Sequence, residues 1–505
     1  MRATAPPPPL DPMVARNPFR EQTIAIASPP LYADIKADLP TPILPDHPEW
    51  VEMYWRAWGM AWAKLRRPKS GSGLVGSFID NGDVHLDLWE SAFMSQFGLY
   101  GRRRFNFMWM LDNFYARQRN DGQIGRLIHT ETGASAHTPF DPNGSGPDVL
   151  AWAEWRYFRL TGDDGRLSRV FPPLLALHRW FRAHRTWPNG SYWATGVSSG
   201  LDNQNRLADS THHHQHGAWV DATMQATLSC SILTKMAVLL KEEGLAAELT
   251  AEHTRLVQYI NKSMWNTDDK FYQDVDVNGR FSPVKSIAAY WGLLDKELIP
   301  KDRQTPFIQH LREESAFKRP HSIPSISADS PDYQGLTGDR WHGGVWSATN
   351  FMVLKGLQAA GKQRLAFAIA QKHLNNIQHV YVPTDTFWEY YAPETAVSGS
   401  SNGTPARADF IGSTGLSPIS ILLEDVIGIR VDWPLRRVIW DRYLDTDAVY
   451  GIENYPLGQH SSMTLLGNRQ KITVTTDVAF TLIIRDDEQN LQTAVSIGTT
   501  EISLE

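Results

Sequence analysis

The sequence predicts a mainly α protein, an (α/α)6 barrel with a small β module at its C-terminal end, and three observations carry that reading. Apolar residues recur at three- and four-residue steps through much of residues 48–430, the spacing of one helix face. The helical stretches come in pairs, joined alternately by tight turns and by long Gly- and Pro-rich loops. After about residue 430 this texture gives way to short β-branched runs between turn residues. Helical hairpins in series must bury their apolar faces on neighbours. Closing them into a double ring does so and leaves one end for the long loops. A superhelical solenoid is the alternative, and no fixed-period repeat supports it.

Taken in order, residues 1–47 are rich in Pro and poor in periodicity, which predicts an extended arm over the surface. A helix opens near Pro48. Its stripe is Val51, Tyr54, Trp55, Trp58, Trp62 and Leu65, closed by Arg66, Arg67 and Pro68. Residues 88–99 and 105–117 form a pair. Residues 148–160 and 165–184 flank the turn Thr161-Gly162-Asp163-Asp164. Residues 219–242 and 245–265 flank Gly244, expected to terminate a helix. Residues 345–360 and 363–379 flank Gly361. Shorter helices are expected at 287–294, 306–314 and 417–428, and strands at 437–440, 471–474 and 480–484. The chain therefore divides into an arm (1–47), a barrel (48–430) and a β-rich module (431–505) whose role is structural.

Composition narrows the class of function. The 505 residues are 42% hydrophobic and 21% charged, ordinary for a globular protein that buries a sizeable core. Net charge is -6 with both signs mixed, so there is no basic footprint for nucleic acid and no polybasic anchor for lipid. No window is long and apolar enough for a transmembrane helix, and the N-terminus lacks the apolar centre of a signal peptide. With the single Cys230, which excludes an internal disulfide, this points to the cytoplasm. A signal removed beforehand would make the location periplasmic or secreted. Cys230 lies in an apolar helical run and reads as a buried structural thiol. The unusual feature is 19 Trp, a residue suited both to cores and to sugar-ring platforms.

The chemistry gathers on the long loops, where a rigid scaffold usually presents function. Ser198-Ser199-Gly200-Leu201-Asp202-Asn203-Gln204-Asn205-Arg206 sets one carboxyl between a glycine and a run of amide and guanidinium donors. Such a carboxyl, facing a concave site, donates or accepts a proton in hydrolysis. Asn203 and Arg206 are candidate substrate donors; Arg206 is expected to point away from Asp202, toward substrate or another carboxylate. Phe387-Trp388-Glu389-Tyr390-Tyr391 wedges a second carboxylate among aromatics, partial desolvation that suits a base, with Trp388 and Tyr390 placed to stack on a sugar. Trp89 and Glu90 open one helix; Arg340, Trp341, His342, Gly344 and Trp346 open another. The run His212-His213-His214-Gln215-His216 invites a metal, but adjacent histidines point apart and rarely share an ion. A substrate-facing or flexible loop is the expectation, with no metal and no cofactor.

Together, Trp-Glu-Ser-Ala-Phe, Ser-Gly-Leu-Asp-Asn, Arg-Trp-His-Gly-Gly-Val-Trp and Trp-Glu-Tyr-Tyr-Ala-Pro resemble, in order, inverting glycosidases of the trehalase-like clan. The resemblance is nearest to glycoside hydrolase family 63 and its mannosylglycerate and glucosylglycerate hydrolase branch. It spans residues 75–430 and includes the stretch from Asp409 to Pro418. It implies Asp202 as general acid, Glu389 as general base, and Trp89, Glu90, Arg126, Trp341, Gly344 and Trp346 as the lining of the sugar subsite. Two positions depart: Glu90 stands where the family has Asp, and Ser413 where Trp is expected. In an inverting hydrolase the two carboxyls lie about 6.5–9.5 Å apart, leaving room for the attacking water. The implied function is an exo-acting α-glycosidase on a small α-glucoside-type substrate. A polysaccharide lyase or uronyl hydrolase on the same barrel, using Tyr390, Tyr391 and the His run, is the second reading. A glycan-binding protein without catalysis is the third. Oligomeric state is left open.

Overall fold

The computed structural model describes residues 8–22, 28–321 and 323–504. Within the expected arm, the proline run at 6–9 begins among residues outside those described. The remainder is not uniformly extended. It forms short helical turns at Pro12–Ala15, Pro18–Glu21 and Tyr32–Ile35, and then strand β1, Thr41–Ile43. Pro leads the first two turns, where its missing N–H is not needed.

Helix α1, Pro48–Ala63, again opens on Pro and buries Trp50, Tyr54, Trp58 and Trp62. Next come α2, Leu88–Gly98, capped by the Asp87 side chain on the Glu90 N–H, and α3, Trp109–Ala116. Helix α4, Leu150–Thr161, ends on left-handed Gly162, and α5, Asp164–His184, starts at once under an Asp163 cap. Helices α6, Val220–Leu239, and α7, Glu243–Ser263, follow. Gly244 does not terminate a helix: it lies in the first turn of α7, and the break between the two is made by Lys241 at φ 62. A 3-10 helix occupies Ile287–Leu294, and α8 is Lys301–Gln309, upstream of the expected 306–314, with Pro306 inside it. Helices α9, Ser347–Ala359, and α10, Gln363–Thr384, come next. A π-helical segment, Ser417–Val426, completes the series.

Packing follows the pairing. Each hairpin packs on itself: α2 on α3, α4 on α5, α6 on α7, α9 on α10. The first members also touch in sequence: α2 on α4, α4 on α6, α6 on Ile287–Leu294, that segment on α9, and α9 and α2 both on the 3-10 turn Ser413–Leu416 that leads into the π segment. Helix α1 packs on the π segment and on α10. Connections are short after the first member of a pair and long after the second. In an up-down series this brings the long loops 64–87, 117–149, 185–219, 264–286, 310–346 and 385–416 to one end.

The C-terminal strands are β2 (Ile429–Asp432), β3 (Arg437–Asp441), β4 (Tyr450–Leu457), β5 (Ser461–Gly467), β6 (Lys471–Thr476), β7 (Phe480–Arg485), β8 (Asn490–Val495) and β9 (Gly498–Ser503). They form two sheets, ordered β1-β4-β5-β6-β9 and β2-β3-β7-β8, antiparallel except for the β3–β7 pair. Strand β1 reaches back from the N-terminal region to pair with β4, Thr41 opposite Glu453. Tyr100, past the end of α2, meets Tyr455 of β4 edge-on at 5.7 Å and donates a hydrogen bond to Glu424. The helical and β parts thus share one core. No helix among the described residues is long and apolar enough to cross a membrane.

Candidate active site

The Asp202 loop is built before it carries any chemistry. Thr195 caps the short helix Gly196–Ser199 by a reciprocal bond pair with Ser198, and Gly200 turns the chain at φ 77. Only a residue without Cβ takes that left-handed step freely. Gln204, buried, donates to the Ser325 carbonyl and accepts from Ser286, which anchors the far side of the loop. Asp202 is left with its carboxyl about one-third accessible, and Arg340 donates to its Oδ2 at 3.0 Å. Burial pushes the Asp202 pKa above the ordinary aspartate value; Arg340 and Arg126 pull it back, and the charge of Glu389 adds to the rise.

From Asp202 the site can be followed as a ring of contacts. Asn203 donates to the Asp339 carbonyl at 2.9 Å and accepts from the Trp341 N–H at 2.9 Å, tying the loop to residues 339–346. Trp341 stacks on Trp346 with centroids 4.0 Å apart, and Trp346 stacks on Tyr390 at 4.6 Å. The turn beneath that stack is tight. At Gly344 an added Cβ would sit 2.1 Å from the Arg340 carbonyl, so no side chain is accommodated. Tyr390 leads to Glu389, whose two carboxylate oxygens accept from Arg407 at 3.1 and 2.8 Å. Arg407 also donates to Asp83 at 2.7 Å. Thr414 then donates to the Trp388 carbonyl, and its neighbour Ser413 gives Glu90 both a backbone and a hydroxyl hydrogen bond, at 2.6 and 3.1 Å. Asp87 precedes Glu90 and lies 3.7 Å from Arg126, which closes the ring by acting on Asp202.

Glu90 is the most perturbed carboxyl of the ring. Burial, then the charge of Asp87 and further off that of Glu389, pushes its pKa to about 8; the Ser413 bonds oppose the rise. The two departures noted in the sequence are therefore one contact, in which the longer acid reaches the smaller residue.

Most residues singled out from the sequence meet here: Trp89, Glu90, Arg126, Asp202, Asn203, Trp341, His342, Gly344, Trp346, Trp388, Glu389 and Tyr390 all lie on these linked segments. Arg206 is a correction. Its side chain is fully buried, bonded to Asp221 at 2.9 Å, 3.4 Å from Asp274 and packed over the Trp219 ring, so it does not face a substrate. Hydrophobic packing and two buried carboxylates hold it inward, so it turns away from Asp202 to other carboxylates as expected, and the substrate-facing alternative falls. The aromatic platform is also revised. Both faces of Trp346 are taken by its neighbours and Tyr390 is buried, so of the 387–391 aromatics only Trp388 is even partly exposed. Glu389 is not isolated among rings but clamped by a guanidinium.

Sequence reasoning passed over Arg407, Asp83 and Asp87, and did not assign Arg340 a role. Arg340 stood inside a quoted motif. Arg407 stood among small and polar residues with no periodicity to mark it. In the His run, the rings of His213, His214 and His216 lie 4.3–5.4 Å apart beside Trp187 and Trp193. His213 and His214 each accept a backbone N–H on Nδ1, so ligation through Nδ1 would break those bonds. Burial and the neighbouring histidines lower His214 to about 4. Cys230 is buried beside His178, 3.3 Å away.

A model of the mannosylglycerate hydrolase MGH1-like glycoside hydrolase domain matches residues 88–405. An uncharacterized protein of Borreliella burgdorferi is 26% identical over 394 residues, covering 77% of this chain and 80% of that one. Among solved structures, the GH63 mannosylglycerate hydrolase from Thermus thermophilus in complex with glucose superposes with a TM-score of 0.58. It is 20% identical, and the match covers 73% of this chain and 99% of that one. The same enzyme has been solved with Tris and D-glycerate. The neutral trehalase of Saccharomyces cerevisiae gives a TM-score of 0.53 at 12% identity, over 68% and 73% of the two chains.

Proposed function

The chain belongs to the mannosylglycerate hydrolase MGH1-like family of glycoside hydrolases, and on that footing we propose that it is an inverting, exo-acting α-glycosidase of small substrates. Asp202 is the general acid and Glu389 the general base. The helices close as an (α/α)6 barrel, a reading supported by the sequential contacts of the six inner segments from α2 round to the π segment. The loop end of that barrel carries the site.

One observation supports the pair of roles above the rest: the two carboxyls meet opposite environments within reach of each other's charge. Asp202 is pushed by burial toward the protonated form that an acid needs. Glu389 is held as an ion pair by two parallel bonds from Arg407, the arrangement that fixes a carboxylate. In turnover Asp202 gives its proton to the glycosidic oxygen as the bond to the leaving group breaks. Glu389 takes a proton from the water that attacks the anomeric carbon on the opposite face. Glu90, largely protonated near neutral pH, donates to a sugar hydroxyl, and Trp89 backs the ring.

Arg340 bonds Asp202 and Arg126 acts on its charge, so a leaving group that meets the acid beside these two cations is favoured when it is anionic. The Thermus relative binds glucose and D-glycerate; a glycosyl-glycerate or a similar acid conjugate is the substrate class that fits both arginines. The test is a screen of α-linked glucosides and mannosides with acid and neutral leaving groups, with the product anomer read by NMR. Free sugar of inverted configuration supports the reading. An unsaturated, ultraviolet-absorbing product, or no turnover of any of them, overturns it.

A further inference from the structure

We propose that Arg340 is exchanged between Asp202 and the substrate: it pairs with Asp202 in the free enzyme, and the leaving group's anion takes it over. Asp202 thereby gains the proton that it later donates. The proposal rests on the acid role of Asp202 and on the anionic leaving group argued above.

The arginine partners of Asp202 and Glu389 are built differently. Arg407 holds Glu389 by two bonds and is itself held by Asp83. Arg340 holds Asp202 by one bond at 3.0 Å, with the guanidinium half exposed and the carboxyl one-third exposed. A single-pronged accessible pair is held only weakly, so a second carboxylate displaces it readily. Arg126 is not free to exchange, since it donates to the Asn143 carbonyl and lies beside Asp87. Among the described residues, Asp202 is the one carboxylate at ion-pair distance from Arg340.

The mount of Arg340 is deliberate in its geometry. Asp339 and Arg340 sit at φ 27 and φ 58, consecutive non-glycine residues in left-handed backbone. Each such residue is strained and persists only where neighbours hold it. Here Asn203, adjacent to Asp202, bonds the Asp339 carbonyl, while Gly344 N–H and Trp346 Nε1 bond the Arg340 carbonyl. The loop that carries the acid thus also sets the arginine beside it.

The charges facing Asp202 give the exchange its consequence. Arg340 and Arg126 favour its ionised form; Glu389 and Asp87 favour the protonated one. Moving Arg340 onto a bound anion removes the nearest cation's effect and adds a negative neighbour, so one proton enters from solvent as the anion binds. After Asp202 has passed that proton to the glycosidic oxygen and the bond to carbon has broken, Asp202 is ionised again. It then competes with the product's anion for Arg340, which favours release. The proton taken by Glu389 from water returns to solvent.

Calorimetric titration with D-glycerate, in buffers of different ionisation enthalpy, reads this without turnover. Net proton uptake on glycerate binding is expected in the wild type at neutral pH, none with glycerol, and none in Asp202→Asn. Arg340→Met should lose the uptake and Arg340→Lys should keep part of it. In kinetics, the alkaline limb of kcat should lie above that of kcat/KM by about one to three pH units for an acid leaving group, the effect of one charge at this range. The two limbs should coincide for a neutral leaving group and lie closer together in Arg340→Met than in the wild type. Glycerate that binds without proton uptake, fails to bind, or retains uptake in Asp202→Asn overturns the exchange. So does an Arg340→Met enzyme that is slower with its limb unmoved, since that is a structural role alone. Proton uptake in an enzyme that cleaves no glycoside would uphold the exchange and sink the function it was argued from.

Discussion

Glu90→Gln isolates the ionisation of one buried carboxyl. In the folded protein Glu90 is raised from 4.5 to about 8, chiefly by burial, then by the charge of Asp87 and, more remotely, of Glu389. Its folded pKa lies above its unfolded value, so its stabilising share is complete below about pH 4.5 and is lost as pH rises through about 8. Across that window the slope is about 1.4 kcal/mol per pH unit, or about 5 kcal/mol in all for a fully dry group. The side chain borders the site, and solvent there trims the total to about 3–5 kcal/mol. Gln carries no ionisable proton and can still meet the Ser413 backbone and hydroxyl groups. Urea unfolding of both proteins at about pH 5 and about pH 8.5 should show the difference between them moving in favour of Gln by several kcal/mol. Parallel stability profiles over that range would refute the placement of Glu90 as a dry acid between Asp87 and Ser413.

Other perturbations reach the remaining parts of the site. Asp202→Asn should lower kcat by about 10²–10⁴-fold on alkyl glycosides, and far less on a glycosyl fluoride whose leaving group needs no proton; equal losses on both would argue against an acid at this position. Arg206→Met leaves Asp221 and Asp274 buried without their cation. Unfolding stability should fall by about 3–5 kcal/mol, and a loss under about 1 kcal/mol would mean that the pair relaxes to solvent. Gly344→Ala pushes a methyl group into the Arg340 carbonyl, 2.1 Å away. A stability loss of about 1–3 kcal/mol should come with weaker glycerate binding, measured by melting and calorimetry; normal binding would separate the Gly344 turn from Arg340.

The helical part of the fold was legible because its signals are local. Apolar spacing marked α1 through α7, and a cap or left-handed glycine marked the break between α4 and α5. What failed were breaks made by residues with no special preference for them. Lys241 takes the left-handed step between α6 and α7, so Gly244, the natural candidate, drew the boundary to the wrong place. Pro306 was read as a helix start, yet it sits within α8, whose first turn comes earlier. The pairing of β1 with β4 was out of reach for a different reason. A three-residue strand bonded across most of the length of the chain leaves no pattern in its own sequence.

At the site, residue type was legible and direction was not. Asp202 and Glu389 could be proposed because a lone carboxyl among turn residues or aromatics is conspicuous and the motifs around both resemble a known family's, whereas cations are common and reveal their partners only in space. Arg206 stands four residues from Asp202 but turns inward to Asp221 and Asp274. Arg340 and Arg407, far away along the chain, supply the guanidinium groups that Asp202 and Glu389 meet. A buried Arg206 is locked by two carboxylates and so fixes structure. Arg340, exposed and singly bonded, is free to change partners, as the proposed exchange requires.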